Sequence, residues 1–234
     1  MMKSTLKTVC TAMALSLTAC GGGVNTTLSI GGTVVKSVTN PTYPLASAVS
    51  AFVQSSHDYT LKAKAGADVY ELTWHSAPGT QGLFEGHLAS TLEYSNTITK
   101  NGEKFAGSTL TDYVDVSPFR PYGGINNTLG NYDVASNQQP LPSVALAGQS
   151  GILSNGTRYA DSTKARVMAT SVTTWSLEDV GATEAWACLN SSISLTGDSS
   201  PTTKESVCYK IDTSGNAIGF RVELALNGLT LSFQ

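Results

Sequence analysis

The sequence predicts a mainly-β protein: an antiparallel meander forming a sandwich or an open or half barrel, with one short helix near residues 45–55. Three observations carry this. From Tyr59 onward, apolar and polar side chains alternate with period two, the spacing of a half-buried strand. A β-rich run over 89–100 ends in Asn101-Gly102, and both central residues of a tight hairpin turn need positive φ. The C-terminal third reads as three strands. Val207, Tyr209 and Ile211 lie on one face; Phe220, Val222, Leu224 and Leu226 follow, then Leu229, Leu231 and Phe233. Arg221, Glu223, Thr230 and Ser232 fall on the other face, so one side of this meander is buried.

The elements follow in order. Leu45, Val49, Phe52 and Val53 fall at i, i+4, i+7 and i+8, one helical face, with Pro44 suited to a first turn. Strand patterns cover 59–64, 69–74, 89–100 and 108–116. The stretch 118–130, with two prolines and three glycines, reads as a long loop. Pro140 and Pro142 make 138–143 the candidate sub-boundary within a body spanning 45–234. Strands resume over 164–177 and 184–190, with a turn at 178–181. The stretch 190–206 contains almost nothing apolar and reads as a floppy connection. No exact internal repeat is present. One cooperative unit is favoured over two, because halves of about 90 residues bury surface less efficiently.

The N-terminus has a different character. Lys3 and Lys7 precede an apolar run over 9–17, which is too short to cross about 30 Å of hydrocarbon and reads as a removable leader. It closes in Leu17-Thr18-Ala19-Cys20, followed by Gly21-Gly22-Gly23. This resembles the lipobox of bacterial lipoproteins. The resemblance is specific only over residues 1–23. It implies cleavage after residue 19, acylation of Cys20, and a lipidated flexible tether over 20–44. Gly21 in place of Asp implies sorting to the outer membrane, facing the periplasm or the cell surface. One buried acyl chain holds marginally and several hold firmly. Tether and β body together resemble the β-rich envelope lipoproteins of Gram-negative bacteria, a likeness that transfers no activity.

Removing residues 1–19 leaves 215 residues, with 12 basic side chains against 17 acidic. There is no basic run, so nucleic-acid binding has no electrostatic footprint. Hydrophobic residues at 41% are enough for a core and argue against a disordered body. With Cys10 removed and Cys20 acylated, Cys188 and Cys208 remain. In an oxidising compartment this even pair predicts a disulfide, which over a loop of this length stabilises by ~3 kcal/mol.

Candidate sites are few. His57, His75 and His87, with Glu85, show no ligand spacing that marks a metal site, and no cofactor or metal is expected. Gly148-Gln149-Ser150-Gly151 lacks the full nucleophile-elbow pattern, and no catalytic residue is assigned. The expected loop carrying Phe119, Arg120, Tyr122, Asn126 and Asn127, with Tyr132 beyond it, is the best binding candidate, since aromatic faces beside amide and guanidinium donors suit a sugar or peptide. The competing explanation is that these aromatics pin the segment onto the sheet. Trp74, Trp175 and Trp186 fall in strand patterns and are assigned to the core. The expected function is a non-enzymatic binding or structural role at the membrane. A carrier of an apolar ligand in a curved-sheet cavity is the first alternative, and a hydrolase the second.

Overall fold

The computed structural model describes residues 41–197, 203–226 and 228–234. The leader, Cys20 and nearly all of the tether lie outside the described residues. The elements are β1 (Thr42–Tyr43), α1 (Leu45–Val53), β2 (His57–Ala65), β3 (Asp68–Phe84), β4 (His87–Lys100), β5 (Glu103–Val116), β6 (Phe119–Asn126) and β7 (Asn131–Ser136). They continue with β8 (Ala145–Leu146), β9 (Ser150–Tyr159), β10 (Val167–Asp179), β11 (Glu184–Leu195), β12 (Thr203–Asp212), β13 (Ala217–Leu226) and β14 (Leu229–Phe233).

Twelve of these strands form one antiparallel sheet in which neighbours in space are neighbours in sequence; only β8 is skipped, and it pairs with β1. The expected antiparallel meander with one helix is therefore present, and the sheet curls into a nearly closed barrel. Its two end strands meet where Lys62 in β2 and Gln234 exchange backbone hydrogen bonds of 3.4 and 3.3 Å. The sheet runs without a break past 138–143, a segment that crosses one end of the barrel instead of ending the sheet.

Side-chain alternation sets the barrel's two surfaces. Even positions of β3 to β5 point inward, as do odd positions of β10 to β12, as the register pairs Leu72–Ile98, Tyr94–Leu110 and Leu189–Val207 show. The outer surface carries groups such as Lys62, Lys64, Glu71 and Thr73, and Lys62 pairs with Glu71 across strands at 3.5 Å. Eight strands give an interior that side chains can just fill, so twelve leave room. Helix α1 takes part of it. Leu45, Ala46, Ala48, Val49, Ser50, Phe52 and Val53 are all buried, which a surface helix would not allow. The helix ends at Val53, two residues before the expected limit. Phe52 stacks on His57 at 3.8 Å, meets Tyr209 at 4.1 Å and lies 5.9 Å from Phe220. Pro44 packs against Gly215 in the β12–β13 turn, where φ is +87° and an added Cβ would meet the proline ring at 2.7 Å. The Ser50 hydroxyl donates to the Val116 carbonyl at 2.6 Å and ties the helix to β5. With β1, β8 and Leu141, α1 closes one end of the barrel.

The β3–β4 hairpin overreaches the barrel at that end and folds back on its outer face. It turns through Glu85 and Gly86, both at positive φ, the same chemistry as Asn101-Gly102. Phe84 then stacks on Tyr113 at 4.4 Å and contacts Tyr132 at 5.0 Å, in a small cluster separate from the main core.

Candidate functional site

The lumen beside and below the helical plug encloses a cavity of about 410 Å³, within the usual range for small-molecule sites. It extends from Phe119, Leu153 and Tyr209 near the plug towards Asn96, Ser108, Asn126 and Ile193 near the opposite rim. The period-two pleat puts Tyr94 and Asn96 of β4, Ser108 and Asp112 of β5, Asp133 of β7, Arg158 of β9 and Glu205 of β12 on its wall. Gly124 and Gly156 line the same wall, opposite Asp112 and Ala135. A side chain on Gly124 would collide with the Asp112 carboxylate, so glycine there keeps the cavity open beside that group.

Most polar groups in the lumen satisfy one another. Arg158 makes a two-pronged ion pair with Asp133, Nε and Nη2 each donating at 2.8 Å. This holds the guanidinium above its ordinary range. Asn96 Oδ1 accepts from Ser108, and the Thr173 and Ser191 hydroxyls lie 3.3 Å apart. Three groups differ. Among the described residues the Tyr94 hydroxyl is the hydrogen-bond partner of Asp112; burial, then the charges of Asp133 and Glu205, push its carboxyl up to about 7 against the lowering effect of Tyr94 and Arg158. Glu205 is raised by burial, with Arg158 pulling the other way. Trp74 borders the cavity with 7% of its surface exposed, and its buried indole N–H has no hydrogen-bond partner among the described residues.

The residues expected to bind are not on a loop. Phe119–Asn126 is strand β6, and only 127–130 turns. Phe119 is buried in the core and borders the cavity; Asn126 borders it too, and its Oδ1 accepts from the backbone of Thr128 and Leu129. A register shift between Tyr113 and Val114 turns Tyr122 to the outer face, where it stacks on His87 at 4.3 Å. The Tyr132 hydroxyl donates to Glu85 at 2.8 Å, and Lys164 bonds the same carboxylate at 2.7 Å. Those bonds hold Glu85 below its usual range, while burial and then Glu85 push Tyr132 up to about 12. Tyr122 and Tyr132 thus pin the β3–β4 arm and lie away from the cavity. Arg120 shares β6 and is absent from the cavity wall.

The histidines are dispersed. His57 lies 2.9 Å from the Phe52 carbonyl, His75 contacts Asp58 at 2.7 Å on the exposed outer surface, and His87 lies against Tyr122. No group of three metal-ligating side chains occurs among the described residues. Cys188 and Cys208 are bonded directly across β11 and β12. Residues 190–195 and 203–206 are thus strand, where composition suggests a floppy connection; 198–202 lie outside the described residues. The disulfide lies on the outer face under Arg221, which stacks 4.7 Å over Trp186 and bonds Glu178 at 2.7 Å. Trp186 therefore sits outside the barrel, while Trp74 is buried and Trp175 packs against the core.

The carboxylates and the indole N–H went unrecognised in the sequence, yet a signal existed. Asp112 is in phase with Leu110 and Val114, and Glu205 with Val207, Tyr209 and Ile211. An acid in phase with a buried stripe marks a polar interior. Comparison with protein-family models, curated proteins and solved structures returned no match.

Proposed function

We propose that this chain is a binding protein of the bacterial envelope, anchored by acyl chains on Cys20, whose barrel lumen holds a small polar molecule. The observation that carries the binding role is the cavity itself: about 410 Å³, with three carboxylates, a guanidinium and several hydroxyls set into an otherwise apolar and aromatic wall. The carboxylates and hydroxyls in that wall favour a ligand carrying polar groups over a purely apolar one. The His–carboxylate contact at His75 and Asp58 is exposed, away from the cavity, and lends no support to a hydrolase. The anchoring role rests on Leu17-Thr18-Ala19-Cys20 and the glycines behind it.

Two measurements test this. The full chain in detergent micelles, screened by native mass spectrometry against small polar metabolites, should show saturable one-to-one binding. Filling the lumen by Ser191→Phe should abolish it. Absence of binding, or binding unchanged by Ser191→Phe, overturns the lumenal site. Mass spectrometry of the membrane-extracted protein should find the acyl mass on Cys20, and an unmodified N-terminus overturns the anchor.

A further inference from the structure

We infer that the lumenal ligand is a small organic cation, an ammonium or guanidinium compound, held between Asp112 and Glu205 with its apolar part against Trp74 and Tyr94. This deepens the lumenal-binding reading and rests on it.

The charges in the cavity do not balance. Three carboxylates, Asp112, Asp133 and Glu205, face one cation, Arg158. Arg158 is already committed through both prongs to Asp133. No ion pair reaches Asp112 or Glu205 among the described residues, and no lysine lines the cavity. Asp112 and Glu205 are half-buried, and charges withdrawn from bulk water are ordinarily paired. Arg158 acts on both only at longer range, so two carboxylates on opposite walls without an ion pair of their own mark the place where a further counter-charge is supplied from outside. A metal ion is a poor candidate, since no three ligating groups converge among the described residues. An organic cation needs no such convergence. It can bond the carboxylates singly and lay its stem or charge against aromatic faces, and Trp74, Tyr94 and Tyr209 all line the cavity.

Proton linkage follows from the same geometry. The groups facing Asp112 are Tyr94, Asp133, Arg158, Glu205 and Tyr209, and burial favours its neutral form up to about pH 7. A cation selects the ionised form. Binding near neutrality should therefore release protons, and affinity should rise between pH 6 and pH 8.

Isothermal titration calorimetry of the full chain in micelles tests this with three probes of similar size: 1,4-diaminobutane, neutral 1,4-butanediol and anionic succinate. The inference expects saturable binding of the diamine alone, proton release seen as buffer-dependent heat, and at least tenfold weaker binding in both Asp112→Asn and Glu205→Gln. The two variants are near-isosteric, and circular dichroism checks that each is folded. Equal affinity in both folded variants overturns the inference, as does binding of the diol or succinate in place of the diamine. If the diamine fails while other polar molecules bind and are lost in Ser191→Phe, the charge assignment falls and the lumenal site stands. If nothing binds in the lumen, both fall.

Discussion

The two halves of the barrel interior are built from the same strands and differ in what they enclose. At the plugged end, Phe52, Tyr59, Trp74, Tyr209 and Phe220 pack ring on ring around α1, with Tyr59 and Phe220 centroids 4.4 Å apart. In the cavity, Asp112, Asp133, Arg158 and Glu205 share the wall with four serines and Thr173. Apolar burial at one end supplies the stability that lets the other end keep unmatched charge in a wide lumen. A twelve-stranded ring without α1 would have to fill its whole interior with side chains or leave it to water.

Substitutions can break this contrast. The largest loss is expected for Phe52→Ala, which removes the ring on which His57, Tyr209 and Phe220 converge. Unfolding in guanidinium should show a loss of about 3–5 kcal/mol. A loss below about 1 kcal/mol would mean that the plug is dispensable. Next, Cys188→Ser with Cys208→Ser releases a constraint on the wall shared by both halves and should cost ~3 kcal/mol, measured the same way.

Asp112→Asn should have the opposite sign. Asp112 keeps its proton in the folded state up to about pH 7, whereas in the unfolded chain it ionises near its ordinary value of 3.8. The folded state binds more protons between those limits, so stability falls as pH rises through this window. Removing the charge should raise Tm by roughly 3–8 °C at pH 8 and change it little at pH 4. A Tm that drops equally at both pH values would show that the carboxylate is structural. The smallest effect belongs to the outer surface. Asp58→Asn removes the exposed contact with His75 and should change stability by about 0.2–1 kcal/mol, and less in high salt.

The same contrast explains what the sequence disclosed. The C-terminal meander was legible because β12, β13 and β14 carry uninterrupted apolar stripes, Val207 to Ile211 and Phe220 to Leu226 among them. Helix α1 was legible from its 3.6-residue spacing. By contrast, β6 and the outer half of β11 face a polar lumen on one side and water on the other. Gly123, Gly124 and Asn126 in β6, like Ser191 and Ser192 in β11, therefore carry no alternation to read. Composition made them loops; pairing to neighbours on both sides makes them strands. The site was illegible for a related reason. Its members come from β3, β4, β5, β7, β9 and β12, and closure of the sheet, not spacing along the chain, brings them together. The outward position of Tyr122 was equally hidden, because it depends on the single register shift after Tyr113.

The seam between Lys62 and Gln234 has a consequence for how the molecule comes into being. The first and last strands of the ring are also the most distant in sequence, so neither is sealed until β14 is in place. Until then a partly folded chain presents two bare hydrogen-bonding margins, each open to a neighbouring copy. Slippage at either margin would leave an arc where a ring should be, and the lumenal pocket would lack a wall. Correct assembly therefore depends on keeping such half-made arcs apart from one another.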